Sequence, residues 1–113
     1  AISHPIGAIY NTHHGTTNAV IMLDVLDFNR SKIEDQVNIA TNYLGIEGGF
    51  VGFKNFIQGL CRDLNIPKTL SELGVKNPNI DLITDIAMRD PSVGANPVKM
   101  TKENTKELIE TLF

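Results

Sequence analysis

The stretch that decides the fold is Thr16–Phe28, TTNAVIMLDVLDF. Between Ala19 and Leu26 only Asp24 breaks the run of apolar side chains. Buried strands run about four to eight residues, so an apolar run of this length behind a cap residue reads as helix. Thr16 or Thr17 offers a hydroxyl to the free amides at its start. A helix that is apolar all round is covered on several sides, which makes this segment the central post of the domain.

Outward from that post the chain is punctuated by helix signals. SKIE at Ser31–Glu34 has the Ser-x-x-Glu spacing in which two side chains satisfy free amides at a helix start. A second helix is therefore predicted from Ser31, with Ile33, Val37, Ala40 and Leu44 on its buried face and Gly45 as a left-handed stop. Upstream, the segment before Thr16 reads as loop. Downstream, Phe53, Ile57, Leu60 and Leu64 form a third stripe that ends before Pro67, because proline disfavours helix in the residue before it. TLSE at Thr69–Glu72 is another capping box, for a short turn closed by Gly74. Asn77-Pro78 reads as a cap and first-turn pair for a helix through Leu82, Ile83, Ile86 and Ala87. DPSVGANP, from Asp90 to Pro97, reads as loop, and Thr101 caps a last helix whose face is Leu108, Ile109 and Leu112. No segment alternates with a period of two, and no internal repeat occurs. The predicted class is all-α, with about five or six short helices.

A chain of 113 residues is the size of one domain with one apolar core. With 42% hydrophobic and 20% charged residues it is neither a disordered segment nor a membrane protein. The net charge is -3, and the ten Lys and Arg are scattered rather than striped. Such a surface gives no attraction for phosphate backbones or anionic lipid, so neither nucleic acid nor membrane is an expected partner. A lone Cys61 cannot form an internal disulfide, and no charged-then-apolar leader opens the chain. Both point to a reducing, cytoplasmic setting. Ala1 in place of an initiator Met points to a chain cut from something longer.

All three histidines, His4, His13 and His14, fall within eleven residues. Imidazole is both the commonest metal ligand and the usual acid or base near neutral pH. A transition-metal site takes about three protein ligands, and adjacent His13 and His14 point in different directions on a helix, so at most two of the three converge. The other reading sets each histidine at a helix end or in a polar patch. The glycine-rich EGGFVGF, Glu47–Phe53, is a helix entry rather than a phosphate loop, since no strand precedes it and no Lys-Ser or Lys-Thr pair follows. Cys61 beside the Leu60 stripe is expected to be a buried structural thiol. Ser3 next to His4 is no catalytic pair, because sequence neighbours rarely face each other. Asp24, a carboxylate in an apolar helix, faces solvent, bonds a neighbour or lines a site.

HPIGAIYNTHHGTTNAV, VLDFN, IPKTLSELGV and DPSVGANPVKMTKENTKELIE, taken in order, resemble the C-terminal part of the iron-containing alcohol dehydrogenases, and they span nearly the whole chain. That family carries His-Pro-x-Gly-Ala-x-Tyr and then His-Gly-x-x-Asn, matched by His4, Pro5, Gly7, Ala8, Tyr10, His14, Gly15 and Asn18. Asn96-Pro97 followed by Thr101 matches its tail. The resemblance implies the dehydroquinate synthase-like architecture, a dinucleotide-binding α/β half followed by an all-helical half with the active site between them. Residues 1–113 would be the C-terminal all-helical domain, without the nucleotide-binding half. In such enzymes an Asp and three His hold a divalent metal, Fe²⁺ or Zn²⁺, and the last of those His corresponds to His14. The other three ligands would lie upstream of Ala1. His4 matches a histidine placed in the active site and proposed to relay protons.

The same resemblance implies NAD or NADP in the complete enzyme, with no residue of this chain assigned to it. It also implies a small alcohol or aldehyde substrate and an N-terminal nucleotide-binding partner domain, with a homo-oligomer left open. His13 departs from the family's usual Pro, and Leu23-Asp24 stands where Pro-His is frequent. On this reading the 113 residues alone turn nothing over. The alternative is a self-standing helical interaction module that keeps the family's core without its chemistry.

Overall fold

A computed structural model describes all 113 residues. Six α-helices are joined by turns: α1 (Ser3–Tyr10), α2 (His14–Leu44), α3 (Gly49–Asp63), α4 (Leu70–Leu73), α5 (Ile80–Arg89) and α6 (Lys102–Thr111), with a 3₁₀ turn at Pro91–Ala95. The all-α class stands. The helices are not all short, however, because the two predicted over Thr16–Leu44 are one helix of 31 residues.

Long-range contacts carry α2 through the expected break. The Asn29 side chain, which could have ended the helix locally, donates to Asn96 Oδ1 at 2.9 Å and accepts from Asn96 at 2.7 Å and from the Val98 amide at 3.2 Å. Arg30 then pairs with Glu34 one turn on, at 2.8 Å, and lies 4.7 Å over the Phe50 ring. Ser31 is left exposed in mid-helix. At its other end α2 starts earlier than expected. His13, not Thr16 or Thr17, is the cap, accepting the Thr16 amide at 3.3 Å. Thr17 is buried and bonds back to the His13 carbonyl and to the Thr12 hydroxyl.

The segment expected as loop before Thr16 folds as α1. Pro5 is tolerated there because it lies in the first helical turn, where amides have no intrahelical partner. Asn11, at φ 55, ends α1 in the left-handed region. Ile2, Ile6, Val20 and Ile21 from α1 and the first half of α2 meet Leu70, Val75, Ile83, Ala87, Leu108, Ile109 and Leu112 in one buried cluster. The second half of α2 projects beyond this cluster and is partnered by α3. There the predicted stripes are only partly covered: Ile33 and Val37 are half-buried, whereas Ala40, Leu44, Leu60 and Leu64 are exposed. Ile57 and Phe50 are the apolar residues that α3 buries.

Several local signals hold. Gly45 and Gly74 end their helices at φ 74 and φ 114. Thr69 accepts the Glu72 amide, and Thr101 and Asn104 form a reciprocal capping box. Leu108, Ile109 and Leu112 are buried as expected. At α5 the cap is one residue past the predicted pair's Pro78: Asn79 accepts the Leu82 amide at 3.1 Å, while Asn77 turns the chain at φ 51. Asn79 in turn donates its amide to the Tyr10 hydroxyl at 2.7 Å, tying the start of α5 to α1. Lys102–Asp85 and Lys106–Asp81 pair α6 with α5.

Candidate functional site

His4 sits in the first turn of α1 and His14 is the first residue of α2. The three-residue turn Asn11–His13 reverses the chain between them, and the two imidazoles stack, with centroids 5.4 Å apart and planes 16° from parallel. Both residues are exposed. The His4 Nδ1–H donates to Asp90 Oδ2 at 2.5 Å, and the Asp90 side chain is only 11% exposed. The other Asp90 oxygen accepts the Ser92 amide at 2.8 Å and the Ser92 hydroxyl at 2.6 Å. The Ser92 hydroxyl, then His4, then the Ser92 amide hold the Asp90 carboxyl well below the ordinary carboxylate range. The 3₁₀ turn that supplies Ser92 is the segment expected as loop.

His14 has no charged partner. Its Nε2 accepts the Asn18 amide nitrogen at 3.2 Å, one helical turn on. An acceptor nitrogen is what a divalent cation coordinates, so His14 fits as one ligand. No three His, Cys, Asp or Glu side chains gather in this chain as a complete metal site would need. His13 does not join the pair, since its Nδ1 is committed to the Thr16 amide and hydroxyl, both at 3.3 Å.

Asp24 lies ten residues, roughly 15 Å along the axis, from His14. It lines a different feature, a groove of about 630 Å³ beside Asp27, Lys54, Gln58 and Cys61 that includes neither His4 nor His14. Burial, then Asp27, raise its carboxyl above the ordinary value against the pull of Lys54. Cys61 is half-buried on the groove wall, not fully buried as expected. The glycine-rich turn binds its own backbone: a Cβ on Gly52 would lie 1.7 Å from the Glu47 carbonyl oxygen. Close packing, not phosphate recognition, explains that glycine.

Asp90 and Ser92 escaped the sequence reading. Asp90 is 86 residues from His4, so nothing local joins them. Asp-Pro-Ser is itself a cap for a turn, which conceals the second use of the carboxylate.

The family model described as "Fe-containing alcohol dehydrogenase family, C-terminal" matches residues 1–113. The chain belongs to that family. It is 31% identical to lactaldehyde reductase of Escherichia coli (strain K12), over 99% of this chain and 31% of that protein. It is 28% identical to the NADPH-dependent butanol dehydrogenase of Clostridium saccharobutylicum, over 100% and 31%. Alcohol dehydrogenase 4 of Saccharomyces cerevisiae (strain YJM789) is 30% identical, over 100% and 30%. The chain thus spans about a third of the length of the curated relatives it matches. A crystal structure of 1,3-propanediol oxidoreductase superposes with a TM-score of 0.87 at 24% identity, over 99% of this chain and 31% of that one. This likeness supports the fold: the helical domain of the family is what these six helices reproduce. The Asn29–Asn96 pair joins two family motifs far apart in the chain.

Proposed function

We propose that residues 1–113 are the C-terminal, metal-side domain of an NAD(P)-dependent alcohol dehydrogenase, with His14 a ligand of the divalent cation and His4 the proton-relaying group. The observation that carries this is the stacking of the two motif histidines, with one imidazole free of any charged partner and the other fixed by a carboxylate. When bound, Fe²⁺ or Zn²⁺ supplies Lewis-acid polarisation of the alcohol or aldehyde oxygen, and NAD(P) supplies the acceptor or donor of the hydride. His14 would hold the cation through the Nε2 lone pair that here accepts from Asn18. His4, beside it, takes the hydroxyl proton of a small primary alcohol as the carbon loses its hydride, and returns it in the reverse direction. The remaining ligands and the nucleotide site belong to an N-terminal half that precedes Ala1 on this reading. A single thiol and the absence of any helix long and apolar enough to cross a membrane suit a cytoplasmic setting.

The test is metal analysis and alcohol oxidation with the longer gene product that carries this chain. One divalent cation per chain is expected, and His14→Ala loses both the cation and turnover. Retention of both in that variant would overturn the assignment.

A further inference from the structure

We propose that Asp90 is a positioning residue for His4: it fixes the imidazole in the tautomer with the proton on Nδ1 and leaves Nε2 as the bare acceptor. This rests on the functional reading above only for what His4 does; the tautomer itself stands on geometry. An imidazole can relay a proton only from the nitrogen its environment leaves unprotonated, and the hydrogen bond made by the other nitrogen decides which that is. Here the other nitrogen meets a carboxylate oxygen at 2.5 Å. An ionised carboxylate is acceptor only, so Nδ1 must carry the proton.

The carboxylate is also anchored. Its second oxygen is taken by the Ser92 amide and hydroxyl, and the residue marks the junction between α5 and the 3₁₀ turn. Asp90 therefore cannot swing away without uncapping that turn, and His4, whose ring is exposed on its other side, gains a fixed plane. The plane is nearly that of His14, at 16°. Holding one ring by hydrogen bond and the other by helix start keeps the stack without burying either ring.

The two roles of Asp90 are separable by one substitution. In Asp90→Asn the side-chain oxygen still accepts the Ser92 amide, since Asn caps as well as Asp. The amide nitrogen then faces His4 and donates to Nδ1, which forces the proton onto Nε2. In metal-free protein with ¹⁵N-labelled histidine, at a pH where the imidazoles are neutral, His4 should show a protonated Nδ1 and a bare Nε2. Asp90→Asn should reverse the two nitrogens, with the amide spectrum of α5 and α6 unchanged. Ser92→Ala, which removes one anchor and leaves the His4 contact, should keep the parent tautomer. A parent His4 protonated mainly on Nε2, or an unreversed His4 in a folded Asp90→Asn, would overturn the proposal. If Asp90→Asn fails to fold, the parent spectrum and Ser92→Ala decide. In the longer protein Asp90→Asn should lower kcat about ten- to a hundredfold with metal content unchanged. Metal retained in His14→Ala would sink the reading of the metal site, yet leave the tautomer result standing.

Discussion

Burial lifts the carboxyl of Asp24 above its ordinary value of 3.8, so the native state holds that proton more tightly than the unfolded chain does. A raised acid stabilises the fold fully below the unfolded value, and that contribution is lost as pH rises through the folded one. At neutral pH the ionised side chain is a net burden. Asp24→Asn should therefore stabilise the protein at pH 7, by no more than about 1 kcal/mol because water still reaches the site, and should give no gain near pH 3.5. Urea unfolding at both pH values checks this, and a loss at pH 7 would contradict it. Asp90 runs the other way: its lowered carboxyl contributes stability above the unfolded value, lost as pH falls through the folded one. At the neighbouring end of α2, His13 has φ -67, which proline's ring enforces, and its helix-capping bond is long at 3.3 Å. His13→Pro should leave the denaturation midpoint unchanged within about 1 kcal/mol, the lost cap being offset by a stiffer unfolded chain.

At the scale of elements, what the sequence discloses depends on how far a residue's partner lies along the chain. Thr69, Thr101, Gly45 and Gly74 act within five residues, and their caps and stops are legible. The continuity of α2 is not, because Ser31–Glu34 has the local look of a helix start while Asn29 is held by Asn96, 67 residues away. The site divides the same way. His4 and His14 are candidates that the family's signature singles out, whereas Asp90 reaches His4 from 86 residues on. The α2–α3 turn is a third case, in which the glycines read as a helix entry and Gly52 also serves a close contact. Gly52 donates its amide to the Gly48 carbonyl at 3.1 Å and leaves no room for a Cβ against Glu47. Gly52→Ala should destabilise by on the order of 1–3 kcal/mol, since backbone rather than a flexible side chain must move. Gly94→Ala meets nothing within 4 Å and should be close to neutral in the same urea titration.

The whole molecule measures 40 × 31 × 19 Å, a flattened shape in which one buried cluster does not reach every helix. Ile57 and Phe50 are buried but stand outside that cluster, in the arm made by α3 and the second half of α2. That arm leaves Ile39, Tyr43, Leu44, Phe56, Leu60 and Leu64 exposed. Regions with few buried apolar contacts open at lower free energy than the core, in cooperative units. Amide exchange should therefore divide the chain in two, with α3 and the last three turns of α2 exchanging faster than α5, α6 and the first half of α2. Phe50→Ala, which removes the ring beneath Arg30, should speed exchange in the arm by tenfold or more while leaving α5 and α6 as they were. Ile109→Ala, at the centre of the cluster and fully buried, should cost roughly 2–5 kcal/mol and speed exchange everywhere at once. If Phe50→Ala accelerated α5 and α6 equally with α3, the arm and the cluster would be a single cooperative unit, and the histidine pair at the starts of α1 and α2 would share its stability with the far end of α2.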